Sequence, residues 1–225
     1  MTYVKASVRR PAGNPGNGIQ PKDQLVIYDV DDILSFPQRN EAGVVIEDDI
    51  VMKEGRYAIG IYLTPGTAEI SSNSDGETDA EGYTPSIKFN HPGNQQEIRE
   101  FKTNWLTKKC IVVLRYCSGK PADLIGTPCN PCKLSVSYTG SNESNTNELT
   151  FTQISKGDDI AIYQGTDTLE EPVAVVEAKA TDITYQTDGQ YQLSAGEAKI
   201  AGVTGGSHGS VITLMGCSGV APTVE

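Results

Sequence analysis

No apolar run in this sequence approaches the roughly 18 residues that a membrane-crossing helix needs. The opening stretch, Met1-Thr-Tyr-Val-Lys-Ala-Ser-Val-Arg-Arg-Pro-Ala-Gly-Asn-Pro-Gly-Asn-Gly18, has basic residues but neither the apolar centre nor the small-residue cleavage site of a secretory signal, so folding in the cytoplasm is expected. Cysteine is sparse and odd in number, with five residues. That argues against a disulfide framework, and the thiols are expected to be mostly reduced. Histidine is sparser still. His91 precedes Pro92, is forced extended, and is read as ending a strand, while His208 in Gly205-Gly-Ser-His-Gly209 is read as an exposed hairpin tip. Neither has the partners of a catalytic triad, and the glycine run around His208 leads into a strand rather than a helix, so it is not a phosphate loop.

Positive charge is also short. The net charge is -11, and it is uneven: residues 1–20 carry Lys5, Arg9 and Arg10 with no acid, whereas 21–165 and 166–225 are both acidic. A globule with that surplus repels a phosphate backbone, which disfavours a nucleic-acid reader. The same surplus suits a wall along which DNA passes without sticking. Two acidic groups, Asp29-Val-Asp31-Asp32 and Glu47-Asp48-Asp49, could hold calcium only if folded side by side; their spacing is not that of a calcium loop, and solvated turns are expected. Cys129-Asn-Pro-Cys132 has the spacing of one zinc half-site. No second half completes it, because Cys110 and Cys117 are an odd number of positions apart in a strand and face opposite ways, so a turn between Pro128 and Pro131 is expected instead. No catalytic, cofactor-binding or metal-binding residue is assigned.

What the sequence has is glycine, proline and short β-rich runs. With 23 Gly, 12 Pro and only 15 aromatic residues (4 Phe, 10 Tyr, 1 Trp), it reads as many short strands joined by tight turns. Its length suits a core of about 150 residues with a small appendage. Residues 1–20 begin strand-like over Thr2–Val8 and become a Pro/Gly/Asn linker, an extended arm or a disordered tail. Strands are expected at Gln24–Tyr28, Gly43–Ile46, Arg56–Leu63, Ser86–Phe89, Cys110–Cys117, Lys133–Tyr138, Glu148–Ile154 and Asp159–Tyr163. Leu149, Phe151 and Gln153 are expected to share one face. Thr64–Gly82 reads as a polar loop, and 140–147 as a polar hairpin loop. Beyond Gly165 five further short β pieces punctuated by glycine, within 166–225, read as a small β module.

One segment breaks the β pattern. In Gly93 to Leu106 the apolar residues Ile98, Phe101, Trp105 and Leu106 recur at helical spacing, which predicts one amphipathic helix with those four side chains against a sheet. Asn94 and Glu97 predict a capping box at its start, and Lys108 and Lys109 suit its negative end. The fold class expected is mainly β, an antiparallel sandwich or barrel with one flanking helix.

The order of these pieces carries a resemblance. An acidic loop ending Asp79-Ala-Glu-Gly-Tyr83 is followed by a strand, one helix and another strand. The turn Gly126-Thr-Pro-Cys-Asn-Pro-Cys132, a strand, an Asn/Ser-rich loop and Glu148-Leu-Thr-Phe-Thr-Gln153 complete the series. It resembles the tail tube proteins of long-tailed phages and the related tubes of contractile injection machines, over residues 21–165. The resemblance implies a virion or prophage structural protein, non-enzymatic and cofactor-free, that self-associates into hexameric rings stacked as a DNA conduit. Its partners would be other copies and other virion proteins, with no sequence-specific nucleic acid and no membrane. The arm at 1–20 and the loop at 64–82 would bridge rings or subunits. The segment Tyr191 to Gly216 is similar to Gly-rich β modules appended to phage virion proteins, which leaves open a head-tail connector or decoration protein. A cell-surface binding module is the other reading.

Overall fold

The structure is a computed structural model that describes residues 6–169 and, beyond them, the strands between 174 and 224. The chain divides into two compact units, Met1–Glu170 and Glu171–Glu225. Thr166–Leu169 therefore belong to the first unit.

The first unit is mainly β with one helix, as its turn-rich composition predicts. Its strands are β1 (Pro21–Asp29), β2 (Ile33–Ser35), β3 (Val45–Ile46), β4 (Val51–Met52), β5 (Ile59–Tyr62), β6 (Glu69–Asp75) and β7 (Gly82–Pro92). The helix α1 (Gln96–Trp105) comes next, and β8 (Cys110–Tyr116), β9 (Ala122–Ile125), β10 (Cys132–Gly140), β11 (Asn145–Gln153) and β12 (Ala161–Tyr163) follow it. Residues 6–20 contain no strand, against the strand-like reading of Thr2–Val8, whose first residues lie outside those described.

Strands β1 and β8 are the centre of the unit. They pair antiparallel, Val26 opposite Val113 and Ile27 opposite Val112, and both are continuous apolar runs, which a strand needs when both of its faces are covered. Leu25, Ile27, Val112 and Leu114 enter one core with Ile87, Phe89, Leu149 and Phe151. Val26, Tyr28, Ile111 and Val113 enter a second with Ile46, Ile50, Leu124 and Tyr163. At about 1.5–3 kcal/mol for each large side chain withdrawn from water, this two-sided burial makes the β1–β8 pair the most heavily stabilised part of the fold. Over the first core lies an antiparallel outer sheet in the order β10-β11-β7-β6.

The helix covers the same core, with Ile98 buried and Phe101 and Trp105 partly buried against it, their rings stacked 5.7 Å apart. Two expectations about it are corrected. Leu106 is 52% exposed: the helix ends at Trp105, and Leu106, as its C-cap, points away from the sheet. The Asn94/Glu97 capping box does not form. Gln95 is the N-cap and makes no side-chain cap bond, because β7 runs to Pro92 and Gly93 is still tied to the Asn145 carbonyl, which delays the helix start.

The polar stretch 64–82 is also corrected. It is not one loop, since Glu69–Asp75 forms a seven-residue strand paired along its length with β7, Ile70 opposite Ile87 and Asp75 opposite Gly82. Only Ile70 on its inner side is apolar; Ser72 and Ser74 lack the bulk that marks a strand in sequence.

In the second unit the described strands pair in parallel. β13 (Ala174–Val176), β15 (Gln190–Leu193) and β18 (Thr213–Met215) make one ladder; β14 (Asp182–Thr184) joins β17 (Gly202–Thr204), and β16 (Lys199–Ile200) joins β19 (Thr223–Val224). Partners lie about 20 residues apart in sequence, the spacing of stacked solenoid coils rather than hairpins. His208 and Cys217 lie outside the described residues.

Candidate functional site

The outer sheet has one face in the core and one in solvent, and the two differ completely. Inward go Ile87 and Phe89 of β7 and, as expected, Leu149, Phe151 and Gln153 of β11, all buried. Outward go Lys133, Ser135, Ser137 and Thr139 of β10, and Thr146, Glu148, Thr150 and Thr152 of β11. Thr84, Ser86, Lys88 and Asn90 of β7 continue the face, and Glu69, Ser71, Asn73 and Asp75 of β6 complete it. Strict alternation over four strands leaves Pro92, at the end of β7 opposite Thr146, as the one apolar side chain on this face. Rows run straight across it: Lys133, Thr152, Ser86 and Ser71 are successive partners, as are Ser135, Thr150, Lys88 and Glu69. The Ser71 and Ser86 hydroxyls are 3.0 Å apart and Lys88 Nζ is 3.0 Å from Glu69 Oε2. Charges nearly balance here, so the acidic surplus of the chain is carried elsewhere.

Both margins of this sheet are open among the described residues. β6 pairs with β7 alone. β10 pairs with β11 along its length, but meets β8 only through Cys132 opposite Cys110. From Lys133 to Gly140 its other side has no backbone partner in the described residues. An unpaired strand margin is a row of free amides and carbonyls, a template for another strand.

The face is held rigidly from behind. Lys102 of α1 donates to Asn147 Oδ1 at 2.7 Å, and the Asn147 amide donates to the Gly93 carbonyl at 2.6 Å, which anchors the helix to β11 through a fully buried asparagine. On the opposite side of the unit a polar clamp holds the last residues. Arg115 pairs with Asp167 and donates to the Gly165 carbonyl at 2.7 Å; Tyr28 donates to Asp167 at 2.7 Å. Tyr163 donates to the Thr166 carbonyl, Asp49 accepts from the Thr166 amide, and Thr168 accepts from the Ala58 amide. Burial and the Asp167 carboxylate raise the Tyr28 pKa, and the bond to Asp167 raises that of Arg115. Sequence reasoning missed this clamp. The signal was Arg115 itself, a guanidinium closing the apolar run Cys110-Ile-Val-Val-Leu114, which calls for a carboxylate partner.

The residues weighed for chemistry are not brought together. His91 lies at the end of β7, as expected, edge-on to Tyr62 with ring centres 6.2 Å apart. Burial lowers its pKa, Lys102 adds to that, and the Pro92 backbone opposes it. Asp29 caps a short helical turn, Val30–Asp32, by accepting from the Asp31 amide, and pairs with Lys108. Asp32 is 3.5 Å from Arg56. Among the described residues no group of three or more His, Cys, Asp or Glu side chains is placed to hold a metal ion. Thr127 and Asn130 exchange backbone hydrogen bonds at 3.0 and 3.1 Å, so Cys129 sits in a turn, exposed, while Cys132 is buried on β10. Cys110 is buried on β8, and Cys117, one residue past the end of that strand, is exposed. An open groove of about 750 Å³ is lined by Phe36, Pro37, Arg39, Thr127, Pro128 and Cys129 among others. Its one deeply held cation, Arg39, already donates to the Gly43 and Asp159 carbonyls.

No family model, no curated protein and no solved structure matches this chain.

Proposed function

We propose that this chain is a non-enzymatic, self-assembling structural subunit, a tail-tube-like virion protein whose copies join margin to margin into rings that stack as a conduit. One observation carries the reading: among the described residues the outer sheet has two open margins, β6 and β10, and between them a solvent face that is polar apart from Pro92 at its end. The four strands alternate in direction, so β6 and β10 run oppositely. Copies related by rotation about an axis along the strands therefore bring β6 of one beside β10 of the next in antiparallel sense. Such a contact is heterologous, and closes when the rotation closes. A closed barrel removes the free edges, and the Ser/Thr/Asn face would then form one continuous wall. The face sets two lysines, Lys133 and the Glu69-paired Lys88, against three carboxylates and carries no aromatic ring, so it offers a polyanion few cationic anchors and no stacking platform.

The test is negative-stain microscopy of the concentrated protein, beside a variant carrying Asn73→Lys and Ser137→Lys on the two margins. Rings or hollow rods are expected from the native chain and single particles from the variant, because lysines on both sides of the seam repel. Uniform monomers from the native chain at high concentration would refute the proposal. The second compact unit, Glu171–Glu225, favours one alternative, a connector or decoration protein; that reading expects single rings or caps that never stack.

A further inference from the structure

Among the described residues the outer sheet joins the backbone ladder of the central strands at one residue pair, Cys110 of β8 opposite Cys132 of β10. Both side chains enter the same core and both are fully buried. Cys110 Sγ donates to the Cys132 carbonyl oxygen at 3.4 Å. Directly opposed residues of an antiparallel pair have Cα atoms about 4.5–5.5 Å apart, inside the span of about 4.4–6.8 Å that a disulfide bridges. Gly126 stands against the same place: a Cβ on it would lie 3.1 Å from Cys132 Sγ, so the neighbouring backbone leaves this sulfur its room. Cys117 and Cys129 are exposed, and neither shares the buried seam.

We propose that Cys110 and Cys132 are a cross-strand disulfide site, joined while the seam is open and sealed by folding. The oxidant is a low-molecular-weight disulfide. One cysteine thiolate attacks it and expels a small thiolate, giving a mixed disulfide; the second cysteine thiolate attacks the protein sulfur of that bond and expels the other. Two protein thiols lose two protons and two electrons, and one small disulfide becomes two thiols. Timing follows from burial. In the folded chain the Cys110 thiol is pushed up to about 12 and that of Cys132 is also raised, each chiefly by desolvation, so the closed seam holds no thiolate at neutral pH. Exchange belongs to the unfolded or opening chain. Once formed, the bond pins the outer sheet to the central one at their single bridge and closes a loop whose ends are 22 positions apart.

The experiment refolds the full chain from urea with and without oxidised glutathione, alkylates remaining thiols under denaturing conditions and maps peptides by mass spectrometry without reduction. The expected result is a Cys110–Cys132 linked peptide pair, two hydrogens lighter than the free pair, from the oxidised sample alone. The oxidised protein should have an unfolding constant on the order of a hundredfold smaller than the reduced protein, and dithiothreitol during unfolding should abolish the difference. A double variant, Cys110→Ala with Cys132→Ala, should refold and show no dependence on oxidant. Recovery of both residues as alkylated thiols or glutathione adducts after oxidative refolding, or linkage to Cys117, Cys129 or Cys217 instead, would overturn the proposal.

Discussion

Replacing Asp167 with alanine removes one carboxylate and strands two partners, the buried Tyr28 and the half-buried Arg115. Arg115 keeps its bond to the Gly165 carbonyl but loses its counter-charge, and the hydroxyl of Tyr28, a residue only 1% exposed, loses its carboxylate acceptor. The Asp167 side chain is 6% exposed and that of Arg115 is 27% exposed, so the pair is screened weakly. Breaking a buried pair from one side costs about 3–5 kcal/mol, and an orphaned buried hydroxyl costs about 1–3 kcal/mol. Partial solvation of the guanidinium offsets some of that, and a net loss of about 3 kcal/mol is expected. With a urea slope of about 2 kcal/mol per molar, the midpoint should fall by about 1.5 M. Asp167→Asn, which retains an acceptor for Tyr28, should fall by less. A chain ending after 170 should keep the native midpoint for the first unit, while one ending at Gly165, which also loses the Thr166 and Thr168 bonds and the Leu169 side chain, should fall below it. A shift of under about 0.5 M for Asp167→Ala, well below what that slope predicts, would show that the clamp is not holding the unit together.

Two further outcomes depend on pH. Burial and Lys102 hold His91 below its ordinary 6.5 in the folded chain, so the stability it confers is full above that value and is lost as pH falls through it toward the lower folded value, at most about 1.4 kcal/mol per pH unit. Urea unfolding at pH 7.5 and 5.5 should show this loss in the native chain and less of it in His91→Gln; equal losses would refute the assignment. Asp123 goes the other way: burial raises its pKa, and Asp159 adds to that against the bond donated by Tyr116. Its ionised form is therefore disfavoured by the fold, and the cost is present at neutral pH and disappears as pH falls below the ordinary carboxylate value. Asp123→Asn, which still accepts from Tyr116, should melt higher than the native chain at pH 7 and level with it near pH 3, as thermal unfolding followed by circular dichroism would reveal; a lower melting temperature at pH 7 would count against it.

What could be read from the sequence depended on how much each strand had to bury. β1 and β8 are covered on both sides, so Leu25-Val-Ile-Tyr28 and Cys110-Ile-Val-Val-Leu114 stood out as apolar runs. β7 and β11 are covered on one side and showed as alternation, and the helix showed through Ile98, Phe101 and Trp105. The misses share a cause. β2, β4 and β9 have two to four residues each, too few for any period to register, and β6 carries a single apolar residue, Ile70, that meets the core. Leu106 was misplaced because an angular pattern specifies a face but not the residue at which the helix stops. The same reasoning explains why the candidate interface was invisible. A strand margin is made of backbone amides and carbonyls, which every residue but proline supplies alike, so side-chain pattern locates a sheet's faces and is silent about its open edges. The face between those edges was legible one residue at a time, as serines and threonines at alternate positions; only the pairing of Lys133 with Thr152, Thr152 with Ser86 and Ser86 with Ser71 turns them into one surface.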